Sequence, residues 1–111
     1  MRKDIDRLHD ILDAIEAITR HIQGGRESFD RDELIRVWCL RHLEVIGEAA
    51  ARMSEAFCSR CQNIPWREII GMRNTLVHGY FDIDWDQVWN AVENDLPVLR
   101  REIEAILKAE E

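Results

Sequence analysis

Leu34-Ile35-Arg36-Val37-Trp38-Cys39-Leu40-Arg41-His42-Leu43-Glu44-Val45-Ile46-Gly47-Glu48-Ala49-Ala50 has no proline, a single glycine and apolar residues that recur at three- and four-residue steps. That is the period of an α-helix, not the alternation of a strand. Asp30 is placed to open this helix as its N-cap, with Glu33 at the capping-box position. The apolar series continues past Met53 to Phe57, which makes this the longest expected element. Its apolar face is wider than one neighbour needs and points to a second contact, such as a dimer partner. Gly47 with Ala49, Ala50 and Ala51 puts small residues mid-helix, where a facing backbone can come close. Glu44 and Glu48 share a face one turn apart, either as a carboxylate pair or as a solvated face with arginines nearby.

The flanking segments have the same character. Ile5, Leu8, Ile11, Leu12, Ile15, Ile18 and Ile22 form one stripe on a helix of about twenty residues that should end at Gly24-Gly25. Arg20 and His21 would then sit in its last turn, at the negative end of the dipole, with His9 and His21 on the surface. Asn63-Ile64-Pro65-Trp66 marks a third start, with Pro65 suited to a first helical turn. Ile69, Ile70, Met72, Leu76 and Val77 bury one side of that helix, and Gly79 can end it in the left-handed conformation. Phe81-Asp82-Ile83-Asp84 reads as a short loop. Asp84 then caps a fourth helix, with Gln87 three residues on. Trp85, Trp89, Val92 and Leu96 line its inner face, and Pro97 should kink or restart it near Asp95. Val98, Leu99, Ile103, Ile106 and Leu107 carry the stripe onward. The expected fold is all-α: a single domain over residues 1–111, built as an up-and-down bundle of four to five helices.

Composition narrows the function classes. The 111 residues carry 15 basic and 22 acidic side chains, for a net charge of −7. Lys3 and Lys108 are the only lysines. Broad phosphate neutralisation is therefore excluded, and any nucleic acid must meet a local arginine and histidine pocket. No apolar run approaches the roughly 18 residues of a membrane span, and Met1 to Asp6 carry no signal core; a cytoplasmic protein is the expectation. Three cysteines, Cys39, Cys58 and Cys61, are an odd number in a core-forming chain and fit a reducing compartment. Cys58 and Cys61 have the spacing of a zinc or redox pair but supply half a tetrahedral site. His42, about four turns upstream, is the nearby candidate for a further ligand. Two cysteines near a helix end, with no metal, is the preferred reading.

The polar residues gather in Gly71-Met72-Arg73-Asn74-Thr75-Leu76-Val77-His78-Gly79-Tyr80. On a continuous helix Asn74 and His78 share a face. Arg73 and His78 stand about 140° apart, so both reach one phosphate only if the arginine curls back or a second chain completes the cleft. A guanidinium grips a phosphate with two parallel hydrogen bonds and keeps its proton. An imidazole can move a proton near neutral pH. Together, without a carboxylate cluster for magnesium, they suffice for metal-independent RNA cleavage, in which the ribose 2′-oxygen attacks the adjacent phosphorus. The alternative is structural: both side chains pair with Asp82 and Asp84 or satisfy helix-end carbonyls.

Arg73, four residues, His78, one residue and Tyr80 resemble the signature of HEPN-domain ribonucleases, in particular the HepT-like toxins. Leu43 to Ala50 resembles that family's mid-helix block. Ile64 to Asn74 and Leu76 to Phe81 resemble its signature region, and Val88-Trp89 and Asp95-Leu96-Pro97 its last helix. The resemblance implies a helical bundle that dimerises, so that two motif copies share one cleft. It implies Arg73 and His78 as catalytic residues and Asn74 as their polar companion. It further implies a type VII toxin–antitoxin system, with an MNT-type nucleotidyltransferase antitoxin that transfers AMP from ATP to Tyr80. ATP and magnesium would belong to that partner, leaving this chain without a cofactor. Expected partners are thus RNA, a second copy, and the antitoxin, in a heteromeric assembly. Two other readings stand beside it: a non-catalytic module that docks a nucleotidyltransferase or holds a nucleotide, and a plain structural dimer.

Overall fold

The computed structural model describes residues 3–78 and 82–110. The helices follow in the order α1 (Asp4–Thr19), α2 (Gly25–Arg31), α3 (Glu33–Ala51), α4 (Glu55–Arg60), α5 (Trp66–Ile70), α6 (Met72–Leu76) and α7 (Trp85–Asn90). A π-helical turn over Ala91–Asp95 then leads into α8 (Leu96–Glu110). Extended pairing among the described residues is limited to one antiparallel bridge between Val77 and Ile83. The architecture is the all-α bundle expected from the hydrophobic period.

The longest element, α3, is the central rod: α1 packs along it, α5 and α6 cross it, and α8 lies on α1. Leu8, Ile11, Ile15 and Ile18 of α1 form one core with Cys39, Leu43, Ile46 and Ala50 of α3 and with Ile103 of α8. Phe29 is fully buried, and both tryptophans of the i,i+4 pair turn toward it, with ring centroids 6.3 Å (Trp85) and 5.1 Å (Trp89) away. No polar or charged residue among those described is buried. The core is therefore held by apolar burial, at about 25 cal/mol per Å², and every candidate for chemistry lies nearer the surface.

Helix boundaries differ from the sequence reading in four places, each for a local reason. The first helix stops at Thr19, so Arg20 and His21 fall beyond its last turn. Gly25 has φ +74°, a value that cannot continue a right-handed helix, and it opens α2 instead. Asp30 is not an N-cap: it sits within α2, paired with Arg26 at 2.9 Å. Asp32, in extended backbone, caps α3 by accepting the Leu34 N–H at 2.9 Å. The long helix ends at Ala51 rather than Phe57, because Ser54 starts a new one by accepting the Phe57 N–H. Asp4 at the start of α1 takes both the N–H (2.9 Å) and the hydroxyl (2.6 Å) of Ser54, which fixes that corner. The third helix divides at Gly71 and ends at Leu76.

At Pro97 the expected restart takes the form of the π turn. Proline has no N–H to donate, and its ring would press on the carbonyl four residues back, that of Glu93. A wider i→i+5 turn, in which the Leu96 N–H reaches the Ala91 carbonyl, relieves both problems. The terminating role read for Gly79, and Phe81 of the short loop, lie outside the described residues.

The expectation for Gly47 holds. A Cβ placed there would stand 3.1 Å from the carbonyl oxygen of Ile69, at the crossing of α3 and α5. Gly47→Ala should therefore push the two backbones apart and cost about 1–3 kcal/mol, read as a lower midpoint in urea denaturation.

Cys39 is completely buried, and burial pushes its thiol up to about 11. Thiolate is the reactive form. Under native conditions near pH 8, iodoacetamide should modify Cys61 and Cys58 well before Cys39, with Cys39 reacting only on unfolding; peptide mass spectrometry reads the order.

Candidate active site

The site is assembled from three consecutive pieces of chain. Ile64, Trp66 and Ile69 are buried and seat α5 against α3, and the Trp66 indole N–H donates to the Cys61 carbonyl at 3.0 Å. At Gly71 the backbone leaves α-geometry and restarts as α6, with the Asn74 N–H donating to the Gly71 carbonyl at 3.0 Å. Leu76 is buried and Met72 partly so, which turns Arg73, Asn74 and Thr75 outward.

Beyond Leu76 the chain is extended, which corrects the placement of His78 in the last turn of a helix. The His78 N–H donates to the Asp82 carbonyl at 2.7 Å, and the Asp84 N–H donates to the Leu76 carbonyl at 2.8 Å. With the Val77–Ile83 bridge, these bonds hold the strands either side of residues 79–81 antiparallel. The Asp84 carboxylate accepts the Gln87 N–H at 3.1 Å and so fastens the returning strand to α7. His78 therefore projects from a hairpin arm clamped at its base, and the i,i+4 relation to Asn74 and the 140° separation from Arg73 no longer apply. The His78 side chain is exposed.

Arg73 does not pair with Asp82 or Asp84. Its Nε donates to Glu44 Oε2 on α3 at 2.6 Å. Asp82 contributes its carbonyl and Asp84 its cap, so the acids proposed for the structural alternative are occupied with backbone groups. No hydrogen bond among the described residues joins Arg73, Asn74 and His78 to one another. Glu44 was visible in the sequence only as a residue with an arginine expected nearby. That the arginine would be Arg73, 29 positions along, depends on the α3–α5 crossing. Tyr80 lies outside the described residues.

His42 does not join Cys58 and Cys61. Its ring lies 4.2 Å from that of Trp38, and its Nδ1 is 2.9 Å from the Trp38 carbonyl. Among the described residues no three histidine, cysteine or acidic side chains are grouped as a metal site. No helix there is long and apolar enough to cross a membrane.

The profile of the HepT-like ribonucleases matches residues 11–106, which takes in α3, the Arg73–His78 segment and most of α8. The chain belongs to the HepT-like ribonuclease family. A HepT-like protein of Thermococcus cleftensis, named as a probable ribonuclease HepT, is 38% identical over 110 residues, covering 96% of this chain and 98% of the relative. A candidate RNase of Methanocaldococcus jannaschii is 34% identical over 100 residues, 89% of this chain and 92% of its own. Another, from Caldanaerobacter subterraneus subsp. tengcongensis, is 32% identical over 104 residues and covers 93% of each chain. No solved structure matches the chain.

The cap that anchors the His78 hairpin can be tested directly. Asp84→Ala should cost about 1 kcal/mol and Asp84→Asn much less, since the amide oxygen accepts the same N–H; equilibrium denaturation in urea measures both.

Proposed function

We propose that this HepT-like chain is a toxin ribonuclease that cleaves RNA without a metal ion, using Arg73 and His78. The observation that carries the reading is the state of Arg73. Among the described residues, its hydrogen bonding is confined to Nε, so the terminal nitrogens are available to an anion. Beside it, His78 stands exposed on a clamped arm. Membership of a ribonuclease family gives that pair a substrate class.

In the proposed reaction the neutral imidazole of His78 accepts the proton of a ribose 2′-hydroxyl. The freed oxygen attacks the adjacent phosphorus, and the bond to the 5′-oxygen breaks. A 2′,3′-cyclic phosphate remains on one fragment, and the other leaves with a protonated 5′-hydroxyl. Arg73 stabilises the charge that develops on the phosphoryl oxygens, and Asn74 is the polar companion on the same short helix. The acidic balance of the chain confines RNA attraction to this spot, since counterion release needs basic groups.

The site is proposed to work as a homodimer. Leu34 is 80% exposed and Val37 50%, large apolar surfaces to leave in water. Steps of three, four and three residues put Leu34, Val37, Arg41 and Glu44 on one face of α3. A second copy seated on that stripe would lie next to Arg73. Neutralisation is proposed to come from an MNT-type nucleotidyltransferase that uses ATP and magnesium to place AMP on Tyr80, two residues from His78. The added phosphodiester and base would repel and obstruct RNA.

Purified protein should cut RNA in excess EDTA and leave cyclic phosphate ends. Removing one acid–base group of this kind typically lowers the rate by roughly 100- to 10,000-fold, the loss expected for His78→Ala. Arg73→Ala should lose about 100-fold or more. RNA that stays intact under all conditions, with binding unaffected by His78→Ala, would instead make this a binding module. Incubation with the partner and ATP should add one AMP by intact mass, and Tyr80→Phe should take up none.

A further inference from the structure

Arg73 belongs to a helix of five residues, too short to hold a flexible four-torsion side chain in place by itself. Glu44 belongs to α3, which runs for 19 residues through the centre of the core. The carboxylate is the sheltered member of the pair, with 26% of its side chain exposed against 64% for Arg73. Three residues further along the same helix is Gly47, where the missing side chain lets the α5 backbone come close. That approach brings the short helix after α5 within reach of Glu44.

We infer that Glu44 is a positioning residue for Arg73, holding the guanidinium by Nε so that its two terminal nitrogens present a fixed edge to the scissile phosphate. A guanidinium is planar, with Nε–H on one side and the terminal N–H groups at the end. One bond at Nε, 2.6 Å long, restricts rotation of that plane while the end-on fork stays available for a bidentate grip. The cost is electrostatic: a carboxylate beside the arginine lowers its net pull on RNA. Glu44 therefore trades ground-state affinity for geometry in the transition state, a combination that shows as a lower kcat, not a higher KM, when it is removed. As an ion pair on a largely exposed arginine it contributes little to stability, so its loss should leave the fold intact.

This inference rests on the ribonuclease reading of the site, and the test separates the two. Glu44→Ala should lower kcat by about 10- to 100-fold, with KM unchanged or reduced and Tm close to that of the parent. Glu44→Gln, whose amide oxygen accepts the same Nε–H, should recover most of the lost kcat and bind RNA more tightly. In nitrogen-15 spectra the Arg73 Nε–H, assigned through Arg73→Lys, should be protected from exchange in the parent and in Glu44→Gln but not in Glu44→Ala. Parental kcat in Glu44→Ala, alongside an inactive Arg73→Ala, would overturn the inference and leave the ribonuclease standing. Glu44→Gln no better than Glu44→Ala would also overturn it, since charge rather than orientation would then matter. If the parent cuts no RNA, the catalytic reading falls, and the Nε–H signal alone decides whether Glu44 fixes the arginine.

Discussion

The arrangement depends on how closely two backbones approach at one residue. Gly47 faces the Ile69 carbonyl across the α3–α5 crossing, and any β-carbon there would stand at 3.1 Å from it. Packed interiors have little slack to absorb such a displacement. This one close contact sets the height of α5 above α3, and with it the position of everything that follows: the break at Gly71, the short α6, and the hairpin arm that bears His78. Chemistry on short elements needs a rigid reference, and the central helix supplies it.

The polar groups obey a simple division. The described core contains no buried polar or charged residue, so the fold is insensitive to the protonation or ligation of its site residues. Surface pairs such as Arg100–Glu16 and Arg26–Asp30 link neighbouring turns and helices, and exposed pairs of this type contribute little energy. Arg73–Glu44 is built from the same residue types and differs in consequence. It couples a short, peripheral helix to the central one, and its value lies in orientation rather than in stability. The net charge of −7 makes such local placement matter more, because RNA is offered one basic spot instead of a basic face.

Much of the fold was legible. The three- and four-residue recurrence of Leu8, Ile11, Ile15 and Ile18 marked α1, and that of Cys39, Leu43, Ile46 and Ala50 marked α3, because burial on one helix face leaves that trace in any sequence. Asp84 was read correctly as a cap and Pro97 as a break, since both act through local backbone chemistry. Asp30 was read wrongly as a cap for an equally local reason. Asp30 and Asp32 are both suitable caps, and the reversal from α2 into α3 selects the second. Arg73, Asn74 and His78 stood out by residue type and spacing, but helical periodicity carried the reading one turn too far and put His78 on the wrong kind of backbone.

By itself the sequence determined the helical class, the faces that go inward, and the residues able to grip a phosphate and move a proton. Those properties follow from side-chain chemistry and from periods of a few residues. Only the tertiary structure decided that Val77 pairs with Ile83, that the helix ends at Leu76, and that Glu44 rather than Asp82 or Asp84 holds Arg73. Each of these is a competition between partners of similar intrinsic suitability. Such contests are settled by which groups the packing of α5 on α3 brings within hydrogen-bond reach.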